Sequence, residues 1–358
     1  MKKIRLCFAV LFALIMLNSC SYRAEMQAVQ NIQEITDRVY FMDYKGNYNF
    51  DEYLASGGST NVEELSAFLM NSLKKGKWTL SKNKTVSNIQ ISDFACCSIT
   101  VKDSENNGSA IFGRNYDWKD CAVLIIHTNS DNGYESISTC CLSHLGLDDN
   151  WKPSKKFLKD IIALGAIYIP MDGMNEKGLY IADLMAGDAE TTSQNRGNLN
   201  LTTTDAIRLV LDKAANVDQA ISILDSIDMH SVIGWAHHFA IADATGKAVC
   251  VEWVNNKMYV SETKILTNHY VTDCPKKDDG KNPETENSNV RFNILKERGN
   301  AANWTMNAEE VKDALKAASA GQFKGKAITV WSAVFEPESR KVTYCFRENY
   351  DKNISVQF

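Results

Sequence analysis

Two periods of hydrophobic residues divide this chain into elements. Residues 62–74 carry Leu65, Phe68, Leu69 and Leu73 at helical spacing, which predicts an amphipathic helix. A polar stretch, 74–87, follows it, and residues 21–48 are polar and mixed, with no element predicted. From Ile89 the period changes to two. Segment 97–101 alternates, and 109–112, 122–126, 137–141, 163–170 and 178–184 are short apolar runs between turn clusters, which predicts strands. A helical block opens at Thr204 with Ala206, Ile207, Val210 and Leu211. Asn216 with Gln219 reads as a capping box for a helix at 220–227. Strands are predicted again at 238–242, 248–253, 258–260 and 264–267. A hydrophilic stretch, 273–289, predicts the least ordered loop. Asn307 with Glu310 caps a helix at 311–318, and 327–335 and 341–346 close the chain as strands.

Strand groups thus alternate with helix groups, and most strand-to-strand connections are short. That favours antiparallel sheets with helices on their outer faces over regular βαβ units. No internal repeat, Gly-x-Gly-x-x-Gly or Walker sequence occurs, so a nucleotide fold has no motif to rest on.

The first residues read as an address. Lys2, Lys3 and Arg5 precede an apolar run at 6–17, too short to span a bilayer, as in a signal peptide. Leu17-Asn-Ser-Cys20 resembles a bacterial lipobox, which implies cleavage before Cys20 and lipid attachment to it. Ser21 and the lack of a following acidic run point to the outer membrane, facing the periplasm. Removing residues 1–19 takes three positive charges and no negative one from the formal −5, leaving −8. An acidic chain argues against nucleic acid as a partner. No other apolar run is long enough to cross a membrane, so the expected membrane contact is the lipid anchor alone.

Metal chemistry has little support. His-Glu-x-x-His and Cys-x-x-Cys are absent, and the adjacent pairs Cys96-Cys97, Cys140-Cys141 and His237-His238 point to alternate faces of a strand. Neither a metal nor another cofactor is expected. No Gly-x-Ser-x-Gly elbow exists either. What remains is Cys96-Cys97-Ser-Ile99 followed by Gly113-Arg114-Asn-Tyr-Asp117. A nucleophilic cysteine needs a base, a way to favour thiolate, and donors for an oxyanion. A permanently charged arginine lowers a thiol's pKa. Arg114 and Asp117, three apart in a turn-like stretch, can converge on one sheet end.

Those two motifs resemble the start of the catalytic chain in N-terminal-nucleophile hydrolases. The branch is that of choloylglycine hydrolase and penicillin V acylase, with acid ceramidase and N-acylethanolamine acid amidase. Its members read Cys-Thr-x-Ile and then Gly-Arg-Asn-x-Asp. Asp172-Gly-Met-Asn175-Glu-Lys-Gly178, His238-Phe-Ala-Ile-Ala-Asp243, Thr267-Asn268 and Arg291-Phe292 are similar to further segments in the same order.

The resemblance implies a four-layer αββα sandwich of α+β class. It also implies a hydrolase of linear C–N amide bonds that cleaves itself between Ala95 and Cys96. The freed α-amine then serves as base near neutral pH, and a thioester forms on the nucleophile. Cys96 is the nucleophile, because Ile99 then falls three residues later, and Cys97 is its competitor. Arg114 favours the thiolate and Asp117 holds the amine. Asn268 donates to the oxyanion, and Arg291 orders Asp117 and the pocket. Asn175 has an oxyanion and a structural reading. Ten residues beyond it the bile salt hydrolases carry a second functional asparagine, and here that position is Met185, where a backbone group would have to serve.

The chain then divides into a signal at 1–19, a propeptide at 20–95 that stays packed on the core as in the acid ceramidase branch, and a catalytic unit at 96–358. The expected substrate is a small N-acyl amide, such as a conjugated bile acid, a fatty-acyl amide or penicillin V. Two rivals are N-acyl transfer by the same cysteine and an inactive binding lipoprotein. Self-association stays open. His237 and His238 read as core histidines. Met171, Met174 and Met185 read equally as an acyl pocket or as core.

Overall fold

The computed structural model describes residues 24–73, 96–106, 108–147, 149–156, 160–186, 191–232, 235–273, 283–323 and 327–358. The lipobox cysteine Cys20, the Ala95 side of the cleavage bond and the 74–87 stretch lie outside them.

Two large sheets face each other. Among the described residues one has nine strands. In order across the sheet they are Gln33–Thr36, Val39–Lys45, Val123–Asn129, Ser136–Cys141, Asp172–Asn175, Tyr180–Met185, His237–Ala242, Ala248–Val254 and Lys257–Glu262. All neighbours are antiparallel except Val39–Lys45 and Val123–Asn129, which pair parallel. The other sheet has seven strands, centred on Cys97–Asp103, Ala110–Trp118 and Ile328–Glu336.

Side chains between the sheets form one apolar layer, including Phe112, Tyr116, Ile125, Tyr180, Leu184, Trp331, Phe335 and Tyr344. The outer face of the nine-stranded sheet is covered by Thr203–Lys213, Val217–Asp225, the 3₁₀ segment Ile161–Tyr168 and residues before 74. The outer face of the seven-stranded sheet is covered by Pro283–Ala301 and Ala308–Ala317. The order is αββα, as expected. Because both faces of Ala110–Trp118 are covered, all nine of its residues are buried.

The Asn307–Glu310 capping box is present, with the Asn307 side chain accepting from Glu310 N and the Glu310 side chain from Asn307 N. Asn216 caps Gln219 N, but Gln219 Oε1 reaches Ala215 N rather than closing a box. That helix ends at Asp225, and Ile227, read as its last residue, instead opens the strand Ile227–His230, for which no element was predicted beyond 227.

Four further segments depart from the sequence reading. Ile161–Tyr168 is 3₁₀ helix rather than strand: it is apolar almost throughout, so it has no period to read. Pro283–Ala301 is helix where a loop was expected up to 289. Its hydrophobic residues do not recur regularly, and packing of Phe292, Ile294 and Leu295 on the seven-stranded sheet decides the matter. Gln33–Thr36 and Val39–Lys45 are strands within the segment read as featureless. Arg114 and Asp117 lie inside a strand, not in a turn after it.

Candidate active site

Cys96 immediately precedes the strand Cys97–Asp103, whose neighbour is Ala110–Trp118 in the register Cys97–Asn115 and Ser98–Arg114. Alternation therefore separates the two candidate nucleophiles. Cys96 belongs to the layer between the sheets, together with Tyr116, Met171, Met174 and Met185. Cys97 faces the helical layer, packed with Val311 and Leu315. Cys96 is 4 % exposed, and its Sγ lies 3.9 Å from the Asp117 carbonyl oxygen.

Gly113, from Gly-Arg-Asn, allows the helix Ala308–Ala317 to come close. A Cβ there would lie 2.6 Å from Val311 Cγ1. Gly178 has φ of +76° and makes the turn from Asp172–Asn175 into Tyr180–Met185.

Arg114 is wholly buried. Nη1 donates to Asp172 Oδ2 at 2.8 Å and Nη2 to the Asp183 carbonyl at 2.6 Å. Its guanidinium lies 5.0 Å from the Tyr116 ring centre, and Tyr116 stacks on Trp331 with centroids 3.9 Å apart. Trp331 Nε1 donates to the same Asp172 oxygen at 2.9 Å. Asp172 thus anchors the arginine, a role the sequence reading did not give it although it opens the quoted Asp-Gly-Met-Asn segment. Burial pushes the Cys96 thiol up to about 11, against the pull of Arg114. The expected thiolate does not follow from Arg114 alone, because a charge shared with Asp172 cannot offset full burial.

Three residues apart on a strand, Arg114 and Asp117 point to opposite faces. Asp117 Oδ1 accepts from Thr329 Oγ1 at 2.5 Å, while its buried Oδ2 has no hydrogen-bond partner among the described residues. Burial pushes this carboxyl up to about 7, against the nearby Arg291 charge and the Thr329 hydrogen bond.

Arg291 lies on the helix that the sequence reading missed. Nη1 donates to the Cys96 carbonyl at 2.6 Å and Nη2 to Asn268 Oδ1 at 2.9 Å. Asn268 Nδ2 donates to the Met185 carbonyl at 2.7 Å. The chain Cys96–Arg291–Asn268–Met185 fixes the Asn268 amide from both ends. At Met185 the main chain makes the contact through its carbonyl, an acceptor rather than an oxyanion donor. Arg291 acts on Asp117 through its charge and on Cys96 and Asn268 through hydrogen bonds.

Asn175 is spent structurally. Nδ2 donates to the Leu211 and Ala214 carbonyls at the end of Thr203–Lys213, and Oδ1 accepts from Lys177 N and Leu179 N. Around the site, His237 Nδ1 pairs with Asp183 at 2.9 Å and Tyr116 OH meets His144 Nε2 at 2.9 Å. Burial holds His144 down to about 4. For His237 burial acts the same way, but Asp183 wins and raises it. His237 and His238 point opposite ways, as the sequence predicts. Among the described residues one group has metal-ligand spacing, His238, Cys250 and Glu252.

Two sheets covered by helices, with a cysteine heading a central strand, define the fold of the N-terminal-nucleophile hydrolases. The family model described as "Acyl-coenzyme A:6-aminopenicillanic acid acyl-transferase" matches residues 104–351. The chain belongs to that family, in which the choloylglycine hydrolases also fall, and it is accordingly an amide hydrolase or acyltransferase in type. The matched span includes Arg114, Asp117, Asn268 and Arg291 and begins after Cys96.

Among solved structures, a mutant of conjugated bile acid hydrolase from Clostridium perfringens is similar at TM-score 0.54 and 16 % identity, over 74 % of this chain and 92 % of that one. A second variant of that enzyme gives TM-score 0.53 and 17 % identity, over 73 % and 92 %. Penicillin V acylase from Agrobacterium tumefaciens gives 0.49 and 17 %, over 70 % and 83 %. No curated protein matches.

Proposed function

We propose that this protein hydrolyses linear N-acyl amides, with Cys96 as the nucleophile after the Ala95–Cys96 bond is cut. The observation that carries this reading is the buried Asp117 Oδ2, which has no hydrogen-bond partner among the described residues. It lies on the residue whose carbonyl faces Cys96 Sγ. A buried carboxylate without a partner is costly. An α-ammonium released at Cys96 would give that oxygen a charged donor.

Once free, the α-amine takes the thiol proton, and sulfur attacks the acyl carbon. The oxyanion accepts from the Asn268 Nδ2–H not given to Met185. The amine leaves with the proton, and water then hydrolyses the thioester. An apolar acyl group suits the layer that Cys96 shares with Met171, Met174 and Met185. Conjugated bile acids, fatty-acyl amides and penicillin V all meet that description.

We also place the chain outside the cytoplasm, tethered through Cys20. The lipobox-like sequence supports this, and so does a Cys121–Cys141 disulfide, of a kind favoured by oxidising compartments. No described helix is long and apolar enough to cross a membrane. Acyl transfer to an amine acceptor is the second reading, favoured by the family's description.

Intact mass of the purified protein tests the mechanism. Wild type should give pieces of 76 residues (20–95) and 263 residues (96–358), and Cys96→Ala should stay whole. An uncut, active wild type would overturn the N-terminal-amine mechanism. With a substrate panel and an added amine, a new acyl-amine product would select transfer over hydrolysis.

A further inference from the structure

His238, Cys250 and Glu252 meet beside the segment that carries Asn268, with His238 against the Thr267 carbonyl. His238 lies opposite Glu252 in the antiparallel ladder of His237–Ala242 with Ala248–Val254, and Cys250 lies two residues before Glu252, on the same face. All three are wholly buried. Nδ1 of His238 is 3.3 Å from Glu252 Oε2 and 3.8 Å from Cys250 Sγ, and Sγ is 3.5 Å from Oε2.

Nitrogen, oxygen and sulfur donors at ordinary zinc distances, about 2.05, 2.1 and 2.3 Å, are separated across a tetrahedron by roughly 3.4 Å (N to O) and 3.6 Å (either to S). The three observed separations lie close to those values. The surroundings match as well. His238 Nε2 faces the Thr267 carbonyl at 2.7 Å, which leaves Nδ1 as the ligand nitrogen. Glu252 Oε1 accepts from Thr272 N at 2.5 Å and Val271 N at 3.2 Å; Oε2 shares the Val271 N–H at 3.3 Å and also faces the other two donors. Thiolate, imidazole and carboxylate around one point are a donor set that suits zinc.

We propose that His238, Cys250 and Glu252 bind one Zn²⁺, with water as the fourth ligand. Binding expels the Cys250 thiol proton to solvent, so thiolate and carboxylate balance the ion's two charges. The ion's role is positional. Thr267, Val271 and Thr272, whose main-chain groups hold the ligands, flank Asn268. A metal here clamps the segment that presents the proposed oxyanion donor.

The sequence argument against a metal concerned adjacent residues, and it holds for His237, which points away. Three ligands from two paired strands have no linear motif. Their signature is Cys250-x-Glu252 facing His238 across the ladder.

The test is elemental analysis of the full chain produced in zinc-supplemented medium without chelators. We expect one zinc per chain in wild type and none in Cys250→Ala or His238→Gln. Protein produced with cobalt reads the wild type directly, so the outcome does not depend on a variant that fails to fold. A sulfur-to-cobalt charge-transfer band should appear in the near ultraviolet. Metal-free wild type, or cobalt bound without that band, would overturn the proposal, as would zinc retained in full by Cys250→Ala. Self-cleavage and amide hydrolysis are read separately, so failure here leaves the nucleophile assignment standing.

Discussion

Asp117 is the residue whose environment has the most to say about chemistry. Its carboxyl is pushed up to about 7 by burial, above its unfolded value. In an uncut chain the folded state therefore holds more protons on this residue than the unfolded state does, between about pH 4 and pH 7. Stability from this group is present below the unfolded value and is lost as pH rises through the folded one. Asparagine stays neutral and feels no such loss. In a Cys96→Ala background, Asp117→Asn should become more stabilising relative to its parent as pH rises from about 4.5 to about 7.5. Thermal melts at the two pH values measure that gap. A gap that stays constant or shrinks would show that the carboxyl is not strained in the uncut chain. Arg114 teaches the complementary point. Its charge is permanent, yet Asp172 and the Asp183 carbonyl engage it, and burial still pushes the Cys96 thiol up.

At the scale of elements, close packing around the central strand sets the tolerance to change. Gly113→Ala drives a Cβ against Val311 and Ile99. It should destabilise by roughly 1–3 kcal/mol. Denaturant unfolding at unchanged slope checks this, and a variant as stable as wild type would mean the helix shifts freely. Much of the fold was legible at this scale because strands covered on both faces read as short apolar runs between turn clusters, and because Asn307-x-x-Glu310 closes its cap as the motif implies. Pro283–Ala301 was not legible. Its helicity depends on the sheet beneath it, and the arginine that links Cys96 to Asn268 sits on it. Resemblance found Arg291 where periodicity could not. Asp172 escaped because Arg114 and Trp331 lie in the facing sheet, and the Asp183–His237 pair because its two strands lie far apart in sequence, relations that spacing along the chain does not encode. The residues named from the sequence thus lie around Cys96, but the hydrogen bonds among them were not legible in it.

At the scale of the molecule, the described residues before Cys96, 24–73, are built into the architecture. Val39–Lys45 pairs in parallel with Val123–Asn129 over seven residues. Val29, Tyr40, Met42, Tyr53 and Leu65 are buried in the core beneath the nine-stranded sheet. Cutting at Ala95 would therefore not release the first piece. Gel filtration of the cleaved protein should show the two fragments co-eluting, separating only in denaturant. Fragments that part in plain buffer would show that the sheet does not hold them.

That parallel strand pair has a mechanical consequence if Cys20 carries lipid and Ala95 is cut. No covalent bond would then connect the catalytic chain to the membrane. Its hold on the surface would be the hydrogen bonds and core contacts of a borrowed strand. The anchor would fail only when the sheet unzips, so denaturation and shedding would be the same event.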